Sequence, residues 1–440
     1  MAINNDNSVH SGEDKREELI RNIISSEFGR EVLNLQPVQR GTKQCSCCKD
    51  TLCRFYNTYV YHLKVEKLRP SELQQPSNKT RQHGVSPLPD DASELVMRLT
   101  SLNTDLNRDV QVQSEAAAMC LFKEALRPLD ASLVPTLYGW ASNSKGQGWL
   151  LTELLPGENL RDKFDALESE PKRSIIKQIA QILKRIQDFT LPSTAKGYGG
   201  LGFADDGTIV VGGTPFPGGG PSPTHSGLYA QYLKTQRVRA QQCEVIKGWE
   251  GTDIPSRIAK LEDIFSGVRE WEKDLRPTLV HGDFDVHNLL FDPQTNRITG
   301  IVDFDLAHIG CQGEEYMWSL FSLGHLLLPA DKSSEDITVH RQFLLHGLND
   351  AATTLGGRAK SFIDWDVTLV TDEEFSKAGV VRPRDVPALE HIQTRYLATQ
   401  AISPPVFFQA KTLTYELEVL QKMKQGEQRE LENCLQVLGC

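Results

Sequence analysis

The feature that most constrains the fold is a pair of short apolar segments separated by a turn. Leu289–Asp292 and Ile298–Val302 have the length and apolar character of strands, and Asp-Pro-Gln-Thr-Asn at 292–296 supplies turn residues between them. This pattern predicts a tight β-hairpin. Because a hairpin brings its two ends together, we expect Asn288 and Asp303 to lie side by side although 15 positions separate them.

Polar side chains surround this hairpin in a specific order. His281 and Asp283 form an H-x-D pattern, Asn288 follows five residues after Asp283, and Asp303 ends the second apolar segment. Phosphoryl transfer needs such a set: one Asp orients the attacking hydroxyl, and an Asn and a second Asp hold magnesium against the phosphates of a nucleotide. Taken singly, such tripeptides are common, and an Asp at a strand end is more often a turn residue or helix cap. The order and spacing together indicate a phosphotransferase site.

The composition is that of a globular protein larger than one typical domain. The chain has 440 residues, of which 39% are hydrophobic and 24% charged, so two or three packed units are expected. A net charge of −10 argues against non-specific nucleic-acid binding, which relies on a surplus of Lys and Arg. An acidic balance suits a cationic or amine-bearing substrate, but many cytosolic proteins share it.

Targeting and membrane-spanning patterns are missing from the sequence. The first 20 residues contain no apolar core segment, and no apolar run approaches the roughly 18–20 residues that cross a bilayer. Nine cysteines, an odd number, are scattered without the pattern of a disulfide framework. We therefore expect a cytoplasmic protein with reduced thiols, no membrane or nucleic-acid partner and no obligate protein partner.

The chain changes character near residue 157, which predicts an α+β fold with two lobes. A polar extension at 1–30 is weakly helical from Glu17 to Phe28, and a small β-rich lobe at 31–156 follows it. The small lobe contains predicted strands at 55–64, 94–99 and 149–155, a helix at 114–126 and a loop insertion at 66–93. A larger, mainly helical lobe is expected at 157–440.

Three segments of the larger lobe have distinctive patterns. Pro171 favours the first position of a helix whose apolar face includes Ile175, Ile179, Leu183 and Ile186, which predicts a core helix. Ten glycines in the 24 positions at 197–220 predict an ordered excursion that is structural or forms part of a substrate rim. Leucines at helical spacing between 413 and 438 predict an amphipathic helix, interrupted near Gly426 and packed on this lobe or on a partner.

These motifs resemble the aminoglycoside phosphotransferase and choline kinase group, and most closely its fungal aminoglycoside-phosphotransferase-like members. The resemblance covers about residues 35 to 330 and is strongest at 281–288 and 301–305. It is supported by Ser114-Glu115, Trp149-Leu-Leu-Thr-Glu153, Pro156-Gly157, Tyr198-Gly-Gly-Leu-Gly202 and Lys247-Gly-Trp249. The resemblance implies a two-lobed, protein-kinase-like fold, ATP and Mg²⁺ as cofactors, and a small-molecule hydroxyl as the acceptor.

The resemblance also implies roles for individual residues. Asp283 would be the catalytic base, Asn288 and Asp303 would bind magnesium, and His281 would support the catalytic loop by hydrogen-bonding its backbone. Such positioned bases contribute on the order of 10²–10⁴-fold in rate. The hinge between the lobes, Glu153 and Leu154, would present backbone groups to the nucleotide base.

Two positions depart from the pattern of the family. Where a phosphate-binding lysine usually lies, the predicted strand has Arg98, whose partner would be Glu115. In the loop that should cover the nucleotide, Arg54-Phe-Tyr-Asn57 replaces the usual glycine and small residues, and Asn57 is the candidate cofactor contact. The preceding segment at 45–53 has four cysteines, either reduced thiols or, with His62, ligands of a metal.

The leading hypothesis is an ATP- and Mg-dependent kinase that phosphorylates a hydroxyl group of a small molecule. A protein kinase is the first alternative, but Ile309–Glu315 leads almost directly into a predicted helix at 316–328, without an Asp-Phe-Gly to Ala-Pro-Glu activation segment. A catalytically silent kinase-fold binding protein is the second. The identity of the acceptor stays open, although Asp162, Glu314 and Glu315 are candidates to face an amine-bearing substrate.

Overall fold

The computed structural model describes residues 6–38, 58–67, 82–101, 106–216, 218–267, 270–330, 334–347, 362–408 and 412–440. The strands in this part of the chain are β1 (Val32–Pro37), β2 (Thr58–Val65), β3 (Glu94–Thr100), β4 (Leu137–Ala141), β5 (Trp149–Glu153), β6 (Glu158–Asn159), β7 (Gly200–Phe203), β8 (Ile209–Gly212), β9 (Pro277–Val280), β10 (Leu289–Asp292), β11 (Arg297–Ile301) and β12 (His308–Cys311). The α-helices are α1 (Asp6–Phe28), α2 (Arg108–Asp130), α3 (Arg161–Phe164), α4 (Ser169–Asp188), α5 (His225–Gln242), α6 (Ile254–Ser266), α7 (Glu315–Trp318), α8 (Glu335–His346), α9 (Trp365–Ala378), α10 (Leu389–Ile402) and α11 (Leu417–Val437).

The first part of the chain folds around a five-stranded antiparallel sheet with strand order β1-β2-β3-β5-β4. Along β3 the side chains alternate between the two faces, so Leu95, Met97 and Leu99 share a core with Ile20 and Ile24 of α1. The intervening side chains of β3 point to the opposite face, towards α2. This alternation is what carries Arg98 into the interior of the molecule.

The remainder of the chain is mainly helical, as the sequence predicts. The apolar stripe of α4 is buried from Ile175 to Ile186, and α9 packs against this helix. Helices α5, α6, α10 and α11 share a second core that surrounds the fully buried Trp249. The α+β fold class is therefore confirmed, while the domain boundary at residue 157 stays a prediction.

The predicted hairpin is present and positions the candidate site. Strands β10 and β11 pair antiparallel with Leu289 opposite Ile301, and the backbone N–H of Val302 donates to the carbonyl of Asn288 at 3.0 Å. Strand β9 pairs with β12 through Val280 and His308. The candidate catalytic loop at 281–288 is therefore held between two strand pairs.

The glycine-rich segment forms the short β7–β8 hairpin, which fits the prediction of an ordered excursion. Gly199 exchanges two backbone hydrogen bonds with Ile309 of β12, at 3.0 and 2.7 Å. A Cβ atom at Gly200 would lie 2.0 Å from the carbonyl oxygen of Gly213, so this close approach of two backbones requires glycine. The segment is thus anchored to the strand beside the candidate site.

Four helix predictions need correction. Helix α1 begins at Asp6, earlier than predicted, and α4 begins at Ser169, which puts Pro171 at the third position instead of the first. The first and the third position both lie in the first turn of a helix, where backbone N–H groups have no acceptor within the helix, so proline is tolerated at either. A helix is predicted at 316–328, but α7 covers only Glu315–Trp318. It ends there because Leu320 takes a left-handed backbone conformation with a φ of 67°.

The fourth correction concerns the last helix. Helix α11 runs without interruption through Gly426, although glycine costs about 1 kcal/mol in a helix interior. Leu431 and Leu435 are fully buried against α6 and α10, and this packing outweighs the cost. None of the described helices has both the length and the apolar character needed to span a membrane.

Candidate active site

The candidate catalytic loop brings Asp283, His287 and Asn288 together. The carboxylate oxygen Oδ2 of Asp283 accepts hydrogen bonds from Nδ2 of Asn288 at 2.8 Å and from Nε2 of His287 at 3.0 Å. The Asp283 side chain is one-third exposed, at 34%. Both bonds converge on one oxygen, and within the described residues the other oxygen, Oδ1, accepts none.

The backbone of this loop is held from behind by Glu315. Its buried carboxylate accepts the backbone N–H groups of His281 at 2.8 Å and Gly282 at 3.1 Å. Ser319 accepts the N–H of Phe284 at 2.9 Å. Gly282 has a φ of 79°, and a Cβ atom there would lie 2.7 Å from the carbonyl oxygen of Leu306. Glu315 therefore supports the loop, and the expectation that it faces a substrate is wrong.

Removing this support should destabilise the fold. The Glu315→Ala substitution leaves two buried N–H groups without an acceptor, and each such group costs about 1–3 kcal/mol. We expect the free energy of unfolding to fall by about 2–5 kcal/mol, measured by urea denaturation. Glu168→Ala, at an exposed residue, is the matched control and should change it by under about 0.5 kcal/mol. Equal effects of the two substitutions would contradict the bracing role.

His281 is fully buried within an aromatic cluster. Its ring contacts those of Phe122, Phe284 and Phe304 at centroid distances of 5.7, 5.9 and 5.0 Å. Burial lowers the pKa of His281 below its ordinary value of 6.5, so the imidazole is neutral at pH 7. The observed hydrogen bond that fixes this residue comes from its backbone N–H and is donated to Glu315. The His281 side chain thus supports the loop by ring packing, while the predicted hydrogen bonding of its ring to the loop backbone stays a prediction.

A buried ion-pair network connects the sheet to the end of the hairpin. Nε of Arg98 lies 3.1 Å from Glu115, and Nη2 donates to Asp303 at 2.5 Å and to Thr58 at 3.2 Å. Arg98 is only 8% exposed. Burial alone would lower the pKa of Arg98, but the charges of Asp303 and Glu115 raise it, so the guanidinium is fully charged. The predicted pairing of Arg98 with Glu115 is thus present, and Asp303 is a second partner.

The backbone of Asp303 is strained. Its φ of 71° lies in the left-handed region, which residues other than glycine rarely occupy. Strain of this kind costs on the order of 1–3 kcal/mol and is concentrated at functional sites. The conformation places the carboxylate next to Arg98 at the edge of the cavity that Asn288 also lines. The hairpin therefore brings Asn288 and Asp303 to one site, as its turn predicts.

A cavity of about 390 Å³ lies between the sheet and this network. Val60, Val96 and Leu150 give it apolar walls, and Glu153 and Leu154 also line it. The Glu153 carboxylate accepts the backbone N–H of Thr136 at 3.0 Å, so its side chain is already engaged. The other residues discussed above that line the cavity are Arg98, Glu115, His287, Asn288 and Asp303.

Several residues of the site were not predicted from the sequence. His287 contacts Asp283 directly, and Nδ2 of Asn159 donates to the carbonyl of His287 at 2.8 Å. Asn159 follows the Pro-Gly turn closely, and strand β6 pairs it with Leu290 of the hairpin. His281 and His287 stand six positions apart in the loop, and only the folded turn shows which of the two contacts Asp283.

The remaining candidates have different outcomes. Asp162 is exposed and lines the cavity, so its carboxylate is accessible to a ligand there. Asn57 and the cysteine cluster at 45–53 lie outside the described residues. His62, the other proposed metal ligand, lies in β2 and contacts Glu94 at 3.8 Å.

Glu314 is buried and engaged by two histidines. Its oxygens lie 2.7 Å from Nε2 of His225 and 2.9 Å from Nε2 of His308, and it accepts the N–H of Cys311 at 3.0 Å. Nδ1 of His308 lies 2.9 Å from the carbonyl of Leu306. Since both ring nitrogens of His308 face acceptors, both are protonated and the ring is a cation. Glu314 is therefore neutralised within the protein instead of being available to an amine.

This pair should make stability depend on pH. Burial alone would lower the pKa of His308, but Glu314 raises it above 6.5. The contribution of His308 to the stability of the fold is therefore complete below pH 6.5 and is lost as pH rises through the raised pKa. Burial alone would raise the pKa of Glu314, but His225 and His308 lower it below 4.5, so its contribution is complete above pH 4.5 and is lost on acidification through the lowered value.

The Glu314→Gln substitution should therefore cost the most stability between pH 4.5 and 6.5, by about 3–5 kcal/mol. The cost should decrease as pH rises through the raised pKa of His308, because the unmodified protein then loses the charged pair as well. Urea denaturation across this pH range measures it, with Glu168→Gln as the control at an exposed position. A cost that does not vary with pH would contradict the charged pair.

Comparison with known proteins identifies the family. The model of the phosphotransferase enzyme family (APH) matches residues 85–331, more than half of the chain. The fold is similar to a thermostable mutant of aminoglycoside phosphotransferase APH(4)-Ia in a ternary complex with ADP and hygromycin B, at 13% identity over 95% of this chain and 98% of that chain, with a TM-score of 0.42. It is also similar to the streptomycin-ATP-APH(2")-IIa ternary complex, at 12% identity over 99% and 97% of the two chains, with a TM-score of 0.42. No curated protein matches the chain significantly. The chain belongs to the phosphotransferase enzyme family, as the extent of the family match establishes.

Proposed function

We propose that the protein transfers the γ-phosphoryl group of ATP to a hydroxyl group of a small molecule, with magnesium as the cofactor. The observation that carries this proposal is that Asn288 and Asp303 line one cavity beside the buried Arg98, while Asn288 also donates a hydrogen bond to Asp283. These are the groups that phosphoryl transfer needs, and they come from separate parts of the sequence. Membership of the phosphotransferase family supports the same reaction type.

Asp283 is the proposed base. Because His287 and Asn288 both donate to Oδ2, the carboxylate is oriented, and Oδ1 is left to accept the proton of the acceptor hydroxyl. The side chain is one-third exposed, so an acceptor can reach it. As the hydroxyl attacks the γ-phosphorus, its proton passes to Asp283 and ADP leaves. His281 is the proposed support of this loop and does not touch the reacting atoms.

Asn288 and Asp303 are the proposed magnesium ligands. Both offer oxygen atoms, which this hard cation prefers. The Nδ2 group of Asn288 is committed to the backbone carbonyl and carboxylate of Asp283, at 2.9 and 2.8 Å, which fixes Oδ1 as the acceptor side of the amide. The residues present therefore fit the metal. A magnesium ion held by these residues would supply positive charge that offsets the negative charge developing on the phosphates during transfer.

Arg98 and the hinge are the proposed nucleotide contacts. Nε and Nη2 of Arg98 face Glu115 and Asp303, and Nη1, the remaining nitrogen of the guanidinium, is the proposed phosphate donor. Glu153 and Leu154 would present backbone groups to the base, since the Glu153 carboxylate is engaged by Thr136. Asn57 remains the proposed contact from the covering loop.

The Arg98→Lys substitution tests the phosphate contact. Lysine keeps the charge but loses the fork that reaches Glu115 and Asp303 together, so we expect the KM for ATP to rise about 10-fold, with a smaller change in kcat. Steady-state kinetics over a range of ATP concentrations measures this change. Arg127→Lys, on the exposed side of α2, is the matched control. Unchanged KM in Arg98→Lys would remove Arg98 from the nucleotide site.

The proposed binding of nucleotide and magnesium can be tested without knowing the acceptor. Calorimetric titration of the protein with the ATP analogue AMP-PNP should show one site whose affinity increases when Mg²⁺ is present. The Asp303→Asn variant should lose most of this magnesium dependence, because one of two proposed ligands loses its charge. Binding that is independent of Mg²⁺ in the unmodified protein would contradict the assignment of the metal site.

A further inference from the structure

A second cavity, of about 280 Å³, lies on the other side of the segment that follows Asp303. Asp303 and Phe304 line the first cavity, while Leu306 and His308 line the second. Consecutive Cα atoms are about 3.8 Å apart, so Phe304 and Leu306 are separated by at most about 8 Å. The carbonyl of Leu306 also lies against Gly282, next to Asp283. The second cavity thus adjoins the catalytic loop on the side away from the nucleotide.

The walls of this cavity are formed mainly by aromatic rings. Phe216 stacks on Trp318 at a centroid distance of 4.8 Å, and Trp318 contacts Tyr396 at 4.4 Å. Tyr229 and Tyr232 are further lining residues and contact each other at 5.8 Å. Flat rings of this kind offer large apolar faces that pack against another flat ring. Phe216 comes from the glycine-rich segment, so that segment contributes to the lining of the cavity.

The charge of the lining does not favour a polyamine. Glu314 is its one carboxylate among the described lining residues, and the imidazolium of His308 and the ring of His225 already bind both of its oxygens. Arg239 also lines the cavity, with its guanidinium 4.6 Å from the ring of Phe408. Two positive groups therefore face one neutralised carboxylate. A ligand with several amino groups would lose its hydration here without finding a free anion.

We infer that this cavity binds the phosphate acceptor, and that the acceptor is a neutral alcohol or phenol on a flat apolar or aromatic ring system. The inference rests on the proposed function and adds the substrate class to it. The aromatic rings hold the flat part of the acceptor, and the position beside the catalytic loop directs its hydroxyl to Asp283. A single organic cation is disfavoured because its attraction to the rings is opposed by His308 and Arg239.

The test uses three probes: 2-(2-naphthyl)ethanol as the neutral flat alcohol, choline as the single cation and kanamycin as the polyamine. Calorimetry on the full chain without nucleotide should show binding of the naphthyl alcohol with a Kd of about 1 mM or tighter. Tyr396→Leu should weaken that binding about 10-fold. Tyr138→Leu, at another half-buried tyrosine that lies in β4, should leave it unchanged.

Three outcomes would overturn the inference: no binding of the naphthyl alcohol, equal effects of Tyr396→Leu and Tyr138→Leu, or tighter binding of choline or kanamycin at this cavity. The proposed function is tested separately, by the formation of ADP from Mg-ATP in the presence of the naphthyl alcohol. If the alcohol binds and depends on Tyr396 but no phosphate is transferred, the proposed reaction fails while the ligand class of the cavity holds. Transfer to kanamycin alone would support the reaction and overturn the substrate class.

Discussion

The Asp283→Asn variant is expected to lose about 10²–10⁴-fold in kcat for phosphoryl transfer, with little change in the KM for ATP. Asparagine keeps the shape of the side chain but cannot accept the proton of the acceptor hydroxyl. Since Asp283 does not line the nucleotide cavity, binding of ATP should be preserved. Initial rates measured with saturating Mg-ATP give the kcat ratio.

The control for this variant separates chemistry from folding. Asp165→Asn removes an exposed carboxylate in the turn after α3 and should have full activity. Thermal unfolding of Asp283→Asn should stay close to that of the unmodified protein, because the lost bonds lie at a partly exposed position. A variant that is folded and retains more than about a tenth of the activity would exclude Asp283 as the base.

The Asp303→Asn variant is expected to lower kcat by about 10²–10³-fold at standard Mg²⁺ concentration. The substitution removes the negative charge of a proposed metal ligand. It also removes one of the two carboxylates that pair with the buried Arg98. Because the defect includes weaker metal binding, raising the Mg²⁺ concentration should restore part of the activity. The same increase should not help Asp283→Asn.

Two measurements show whether Asp303 acts as proposed. Activity is titrated with Mg²⁺ in both variants and in the Asp165→Asn control, and the midpoint of each titration is compared. A higher midpoint in Asp303→Asn alone supports the ligand role. If the midpoint is unchanged while stability falls, Asp303 serves only as the ion-pair partner of Arg98.

The sequence was sufficient to predict the hairpin and the group of residues at its ends. The apolar segments around Asp-Pro-Gln-Thr-Asn fix where the turn occurs, and pairing of Leu289 with Ile301 then places Asn288 near Asp303. Local patterns of this kind are decided by interactions between residues close in the chain. The burial of the α4 stripe was predictable for the same reason.

Contacts between distant segments were not predictable in the same way. The Arg98–Asp303 pair joins residues 205 positions apart, and a strand-edge arginine is usually a solvated residue. Glu314 was expected to face an amine, but its carboxylate lies 2.7 Å from Nε2 of His225 in α5, 89 positions away. Both contacts depend on how strands and helices dock, which no local pattern encodes.

Helix ends were missed where tertiary packing competes with local propensity. Gly426 favours a break, yet the burial of Leu431 and Leu435 keeps α11 continuous. The helix predicted after Glu315 ends at Trp318 instead, where Leu320 turns with a φ of 67° and its N–H donates to the carbonyl of Phe284 at 3.1 Å. The backbone of Leu320 thus bonds to the catalytic loop instead of continuing the helix.

The most direct test of the central claim is transfer of labelled phosphate from [γ-³²P]ATP to hydroxylated small molecules by the unmodified protein and by Asp283→Asn. The assay is run with Mg²⁺ and with EDTA, and ADP formation is followed in parallel. We predict a labelled product that requires Mg²⁺ and is reduced about 10²–10⁴-fold in Asp283→Asn. The proposed activity would be contradicted by transfer that survives the substitution, or by a folded protein that neither binds Mg-ATP nor forms ADP.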